Sequence, residues 1–335
     1  MKSYNKSEPN QKDVDSILKM LTSNNIINAK SEIEKLIVEY PKSSILYNLL
    51  GAIFAVQKNS EYAIHNYKTA IKINPTYAQA YNNLGAIYHK SKKMSEAIIN
   101  YKKAISLKHD FAEANNNLGN AMRELGMPEE ALPYFEKALK INSDYFEAYF
   151  NLGEAYQELG NREDAIINYE KAIKINPNHA EIYNNYGMML YESGKINEAK
   201  KKYLKAISLN PNNEKFHNNI GNLLSQTDLD KGILSYNRAI QLKSDYAIAY
   251  SNLLFNLNFN PKFDINFYLT TAKKFSINCK SPQTEIPSKY FYKKKPDKLK
   301  LGLVSSDFGK HPGGYFTLST LKELIKSNFE LVAYS

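Results

Sequence analysis

The sequence has no tryptophan and only one cysteine, Cys279. A single cysteine cannot form an internal disulfide, so the composition predicts a protein of the reducing cytoplasm. No stretch approaches the roughly 18 consecutive apolar residues of a membrane-spanning helix. The first residues are polar and lack the apolar core of a signal peptide. These absences exclude an internal disulfide framework and predict that the chain neither enters a membrane nor carries a secretion signal.

Acidic residues are fewer than basic ones, and the net charge is +10. Such a balance is typical either of a nucleic-acid-binding protein or of a well-solvated surface. The lysines are spread along the chain, which favours the solvated surface and predicts no nucleic-acid partner. The densest basic stretch, Lys289 to Lys300, falls in a proline-containing segment that we interpret as a linker.

A glycine recurs every 34 residues over most of the chain. The six positions are Gly51, Gly85, Gly119, Gly153, Gly187 and Gly221. A fixed period of this length is typical of stacked helix-turn-helix units, none of which can bury its apolar face alone. The spacing therefore predicts a repeat protein, and stacks of this kind commonly bind a ligand along their length.

Other residue types follow the same period when the glycine is placed at position 8 of each unit. Position 20 is small, namely Ala63, Ala97, Ala131, Ala165, Ala199 and, after a one-residue deletion, Gly232. Position 24 is aromatic, namely Tyr67, Tyr101, Phe135, Tyr169, Tyr203 and Tyr236. The small residues predict close helix approach, and the aromatic residues predict filling between neighbouring units.

This pattern of positions resembles the tetratricopeptide repeat. The resemblance implies a mostly α-helical chain that forms a right-handed superhelix. Six repeats are predicted over residues 44–246, preceded by a cap with a degenerate repeat at 1–43 and followed by capping helices at 247–280. The first helix of each repeat is expected to line the concave surface of the superhelix.

The sequence changes character after the capping helices. Residues 281–297 contain Pro282, Pro287 and Pro296 and are interpreted as a linker. Residues 298–335 alternate as strand, helix and strand, which predicts the first β-α-β piece of a Rossmann-like α/β domain. Two strands and one helix cannot cover both faces of a parallel sheet, so we expect that this domain is incomplete in the chain.

Position 6 of the first helix is asparagine in six consecutive units. These residues, which we call the Asn ladder, are Asn83, Asn117, Asn151, Asn185, Asn219 and Asn252. Because a primary amide both donates and accepts hydrogen bonds, a row of amides could bind the main chain of an extended polypeptide. The alternative is a solvated surface in an asparagine-rich protein, since position 5 is also often asparagine. We expect the ladder to bind peptide.

A glycine-containing loop with one histidine, His311, follows the first predicted strand. The loop has neither the G-x-G-x-x-G pattern of a dinucleotide site nor the Lys-Ser/Thr pair of a P-loop. Ligands bind at the carboxyl ends of strands in open α/β sheets, where this loop lies, and imidazole suits proton handling. A histidine in such a loop is nevertheless often incidental, and the residues alone leave both interpretations open.

The last segment resembles the start of the catalytic region of O-linked N-acetylglucosamine transferases and their SPINDLY-like relatives. The resemblance rests on the strand from Leu301, the turn at Ser306 to Phe308, His311 with Pro312, and the strand from Phe329. It implies that His311 is an active-site residue and that the family's Asn ladder binds acceptor proteins. It also implies a nucleotide-sugar donor, but the donor-binding lobe lies outside this chain, so no cofactor-binding residue is assigned here, nor any metal.

Two hypotheses of function follow. In the first, the chain is the acceptor-binding repeat region of a protein O-glycosyltransferase that modifies Ser or Thr, and residues 1–335 alone do not transfer sugar. In the second, the chain is a non-enzymatic scaffold that binds extended peptides or partner proteins.

Overall fold

A computed structural model describes residues 8–258 and 264–279, together with the backbone of two strands at 299–304 and 329–334. The chain divides into two compact units between Cys279 and Lys280. The first unit contains the repeats, and its described residues form sixteen helices. The division lies one residue from the predicted end of the capping helices.

The helices of the first unit follow one another in antiparallel pairs. They are α1 Gln11–Thr22, α2 Ile26–Glu39, α3 Ser44–Val56, α4 Ser60–Ile73, α5 Ala78–Lys90, α6 Met94–Leu107, α7 Ala112–Glu124, α8 Pro128–Ile141, α9 Phe146–Glu158, α10 Arg162–Ile175, α11 Ala180–Glu192, α12 Ile196–Leu209, α13 Glu214–Leu224, α14 Leu229–Leu242, α15 Ala247–Leu257 and α16 Ile265–Asn278. The helices α1 and α2 lie within the predicted degenerate repeat, and α2 packs on α3.

The two helices of a repeat occupy different sides of the stack. The first helices α3, α5, α7, α9, α11, α13 and α15 contact one another in sequence, and we call them the inner helices. The second helices α4, α6, α8, α10, α12 and α14, the outer helices, contact the inner helices of their own and the next repeat. Within the described residues, no outer helix contacts another outer helix. The stack therefore curves with the inner helices on its concave side.

The predicted small and aromatic positions form the core. The alanines at position 20 are fully buried, as is Phe135 at position 24. A methyl group added at Gly153 would lie 2.6 Å from the ring of Tyr169 in the same repeat, and the other five position-8 glycines have the same relation to their aromatic residue. Glycine is therefore required at position 8 because the ring of position 24 fills the space of a side chain.

The turn between inner and outer helices explains one departure from the pattern. In the other repeats a residue with positive φ ends the inner helix, such as Lys58 at 59° or Gly160 at 75°. The deletion in the sixth repeat removes this residue, and a Cβ at Gly232 would lie 2.8 Å from the Cα of Ser225. The shortened turn thus brings backbone against position 20, where the alanine of other repeats would not fit.

The second unit contributes two strands, β1 Leu299–Val304 and β2 Phe329–Tyr334. They pair in parallel, with Leu299 opposite Phe329 and Val304 opposite Tyr334. The predicted intervening helix and His311 lie outside the described residues. The chain is mostly helical, and the Rossmann-like domain expected at 298–335 stays a prediction.

Candidate functional site

The Asn ladder lies on the inner helices and is half-buried at all six positions. Position 5 of the inner helix is asparagine in five of the six repeats, and these side chains are buried. They are Asn48, Asn82, Asn116, Asn184 and Asn218. The two asparagine positions therefore differ in depth, with position 5 in the interface between repeats and position 6 reaching the concave surface.

Most ladder side chains donate a hydrogen bond from Nδ2 to Oδ1 of a position-5 asparagine in the preceding repeat. The donor, acceptor and distance are Asn83 to Asn48 at 3.0 Å, Asn117 to Asn82 at 3.0 Å, Asn151 to Asn116 at 2.9 Å, Asn219 to Asn184 at 2.9 Å and Asn252 to Asn218 at 3.0 Å. The ladder therefore joins adjacent repeats, a role that neither interpretation of the sequence included.

The series of amide pairs is interrupted once, between the fourth and fifth repeats. Phe150 occupies position 5 there and offers no acceptor, so Asn185 donates instead to Glu154 Oε1 at 3.1 Å. Glu154 also binds Arg123 Nη2 at 2.9 Å. Burial raises the pKa of the Glu154 carboxyl, and the Arg123 guanidinium lowers it only in part, so the net pKa lies above its ordinary value.

The ladder keeps hydrogen-bonding capacity after these contacts are made. A primary amide has two N–H groups and two acceptor lone pairs. The Oδ1 atoms of Asn83, Asn185 and Asn219 accept one further bond each from Gln79, Asn184 and Asn218. In the part of the chain that the structure describes, Oδ1 of Asn117 and Oδ1 of Asn151 accept none. The middle of the ladder therefore offers both donors and acceptors to the concave surface.

The acceptor asparagines, Arg123 and Glu154 were not predicted from the sequence as parts of this surface. The signal for the acceptors was present, since position-5 and position-6 asparagines in adjacent repeats lie 35 residues apart throughout the series, 34 across the deletion. The single exception is Phe150, and it coincides with the glutamate at position 9 that replaces the missing acceptor. Peptide binding by the ladder itself stays a prediction.

No group of three or more His, Cys, Asp or Glu side chains in the described ranges could hold a metal ion. No described helix is long and apolar enough to cross a membrane. The histidine predicted from the resemblance, His311, lies outside the described residues, so its role stays a prediction.

Family models of the tetratricopeptide repeat match the chain over residues 110–178, over 51–92, 87–126 and 187–228, and over 168–201. Together they span 51–228 without a gap, which includes most of the predicted repeats. The chain belongs to the tetratricopeptide repeat family. No curated protein sequence matches it significantly.

Solved structures with the same fold include other tetratricopeptide proteins. PilF of Pseudomonas aeruginosa is 20% identical, with a TM-score of 0.57 over 62% of this chain and 95% of PilF. A tetratricopeptide repeat protein from Parabacteroides merdae is 16% identical, with a TM-score of 0.56 over 74% of this chain and 98% of that protein. The Cut9–Hcn1 complex of the APC/C gives a TM-score of 0.66 at 15% identity, over 72% of this chain and 48% of the matched one. These matches show the tetratricopeptide fold and do not identify a glycosyltransferase.

Proposed function

We propose that the chain is a scaffold that binds an extended polypeptide along the concave surface of its inner helices. The observation that carries the proposal is the arrangement of the Asn ladder. Each ladder amide is held by a hydrogen bond to the preceding repeat, with an asparagine as the acceptor everywhere except at Asn185, which donates to Glu154. The amides are thereby fixed in orientation before a ligand arrives, which lowers the entropic cost of binding.

The geometry favours recognition of main chain over side chains. An extended polypeptide presents alternating N–H and C=O groups, and the unused Oδ1 and N–H groups of Asn117 and Asn151 can pair with both. Peptide bonds are common to all sequences, so such contacts give affinity without selecting a particular sequence. Selectivity then depends on the residues that flank the ladder.

The test replaces Asn117 and Asn151 with alanine and measures binding of fluorescent 12-residue peptides of unrelated sequence by anisotropy. Because a net hydrogen bond contributes about 0.5–1.5 kcal/mol, losing two should weaken all the peptides by roughly tenfold. Unchanged affinity would contradict the proposal.

The ladder also joins repeats, so its removal affects stability as well as binding. The matched control is Asn66→Ala with Asn168→Ala, buried asparagines on outer helices that donate to carbonyls of their own helix at 2.8 Å. Both double variants are compared at a temperature where circular dichroism shows them fully folded. The control should bind as the original protein does, so a loss confined to the ladder variant is a loss of recognition.

We propose, as a second candidate, that the scaffold is the acceptor-binding region of a protein O-glycosyltransferase. The parallel pairing of β1 with β2 supports this candidate, since the C-terminal resemblance requires it. The decisive observation is the gene sequence that follows the codon of Ser335. A second α/β lobe there would support the enzyme, and His311→Ala in that longer protein should then reduce sugar transfer to Ser/Thr peptides. A stop codon with no partner gene would favour the scaffold alone.

A further inference from the structure

The inner and outer helices of the third to fifth repeats carry different charge. The inner helices α7, α9 and α11 contain no lysine and one arginine, whereas they contain seven glutamates, namely Glu113, Glu124, Glu147, Glu154, Glu158, Glu181 and Glu192. The outer helices α8, α10 and α12 contain eight lysines and one arginine against seven acidic residues. In a chain whose net charge is +10, the concave surface at the centre of the stack is therefore acidic.

Some of these glutamates are neutralised by cations from the preceding repeat. Glu158 binds Arg123, Glu192 lies 3.6 Å from Arg162, and Glu124 lies 3.2 Å from both His89 and Lys92. These ion pairs connect repeats and account for the glutamates at the ends of the inner helices. They do not account for the glutamates in the first turns.

The first-turn glutamates occupy position 2 of three consecutive repeats and are exposed. They are Glu113, Glu147 and Glu181. Glu113 accepts a hydrogen bond of 2.9 Å from Asn82, which places its carboxylate beside the ladder. Within the described ranges Glu147 forms no ion pair, and Glu181 has only His179 at 3.6 Å. This row therefore keeps its negative charge along the edge of the ladder.

The spacing of the row indicates how a ligand would match it. Packed helices lie about 8–10 Å apart, and a chain in the extended polyproline II conformation advances about 3.1 Å per residue and points every third side chain in the same direction. One repeat therefore corresponds to roughly three residues of an extended ligand. Side chains at every third position of that ligand would meet one glutamate in each repeat.

We propose that the occupant of this surface is an extended segment with lysine or arginine at about every third residue. The inference rests on the proposed binding of extended polypeptide and adds the chemical class of the partner. Charge complementarity selects the segment, and the ladder binds its main chain. Salt screens the attraction between the exposed glutamates and the basic side chains of the ligand. The preference for a basic segment should therefore weaken as the salt concentration rises.

The test uses three 12-residue peptides of glycine, serine and one further residue type. One has lysine at every third position, the second has the same composition with its lysines adjacent, and the third has glutamine in place of lysine. The periodic lysine peptide should bind at least tenfold more tightly than the glutamine peptide at 50 mM salt, with the clustered peptide between them. The preference should fall below threefold at 500 mM salt.

Reversing the charge of the position-2 glutamates tests whether they cause the preference for the lysine peptide. The variant with Glu113→Lys, Glu147→Lys and Glu181→Lys should lose the preference for the lysine peptide. The matched control is Glu129→Lys, Glu163→Lys and Glu198→Lys, which changes the same number of exposed first-turn glutamates on outer helices. The control should keep at least a third of the original preference.

The outcomes separate this inference from the proposed function. Equal binding of the lysine and glutamine peptides would overturn the basic partner and leave the scaffold intact. An equal loss in the inner and outer charge variants would also overturn it, because net charge alone would then explain the preference. If none of the three peptides binds at millimolar concentration, both the inference and the proposed function fail.

Discussion

The inner and outer helices use asparagine in different ways. On the outer helices, Asn66, Asn100 and Asn168 donate to carbonyl oxygens of their own helix, four residues earlier, at 2.7–2.8 Å. On the inner helices, ladder asparagines donate across the interface to the preceding repeat. Asparagine thus forms hydrogen bonds within its own helix on the outer side of the stack and joins neighbouring repeats on the inner side.

This difference shows on which side of the stack asparagine side chains join neighbouring repeats. Stability in repeat proteins is approximately the sum of terms within repeats and terms between neighbours. The amide pairs add to the neighbour terms on the concave side only. The inner surface is consequently held in one arrangement along several repeats, whereas the outer asparagines bond within their own helix and add no such term.

The largest expected effect comes from the aromatic ring that lies between the two kinds of helix. Tyr169 is fully buried, and its hydroxyl donates to Gln157 at 2.7 Å. Tyr169→Ala should lower the free energy of unfolding by about 3–5 kcal/mol, as for other large buried aromatic residues. Urea unfolding measures the change, and Tyr62→Ala, at an exposed outer position, should cost less than about 0.5 kcal/mol.

A second substitution tests whether the ring of Tyr169 is what requires glycine at position 153. Gly153→Ala alone should destabilise the protein, because overpacking costs about 1–3 kcal/mol and exceeds the gain of about 1 kcal/mol in helix propensity. In the Tyr169→Ala background the same change should be neutral or stabilising, since the ring is gone. Additive effects in this cycle would contradict the contact at position 8.

The next effect tests the coupling between repeats directly. Asn82 is fully buried, accepts from Asn117 and donates to Glu113. Asn82→Ala removes both hydrogen bonds of a fully buried side chain and should cost about 1–3 kcal/mol. Asn168→Ala on an outer helix should cost less, because its carbonyl partner already accepts a helical hydrogen bond. Equal losses in thermal unfolding would remove the distinction between inner and outer asparagines.

Periodicity predicted much of this fold but not the chemistry of the ladder. The six repeats and their buried alanines follow from spacing, since one core position recurs in every unit. The 35-residue separation of Asn151 and Asn116 is visible in the sequence, but a 34-residue period compares like positions and does not show that these two different positions form a hydrogen bond. The new acceptor for Asn185 opposite Phe150, and the need for glycine at position 232, both depend on distances within one repeat interface or turn. A repeat pattern, which describes what the units share, does not contain those distances.

Two glutamates on adjacent inner helices should respond oppositely to pH. Burial raises the pKa of Glu154, with Arg123 opposing, and its net shift is upward. Its contribution to stability is therefore present below its ordinary pKa of 4.5 and is lost as pH rises through the higher folded value. Relative to the original protein, Glu154→Gln should become more stable as pH increases from 4 to 7, in urea unfolding at matched ionic strength.

Glu124 supplies the matched comparison. Burial raises the pKa of its carboxyl, but His89 and Lys92 lower it by more, and the net pKa lies below the ordinary value. This contribution is present above 4.5 and is lost as pH falls through the folded value. Glu124→Gln should therefore become relatively less stable as pH increases from 4 to 7. The same sign of slope for both variants would contradict the assigned environments.

The smallest effect concerns the turn that joins an inner helix to its outer helix. Lys58 has φ of 59°, whereas the equivalent residues Gly126, Gly160 and Gly194 are glycines. The left-handed conformation destabilises a folded non-glycine residue by about 1–2 kcal/mol. Glycine avoids this strain, but it loses more conformational entropy on folding, which offsets about 0.5–1 kcal/mol of the gain. Lys58→Gly should therefore stabilise the protein by about 0.5 kcal/mol, whereas Gly160→Ala should destabilise it by a similar amount. Because both changes lie in the turn and outside the inner surface, neither should alter peptide affinity.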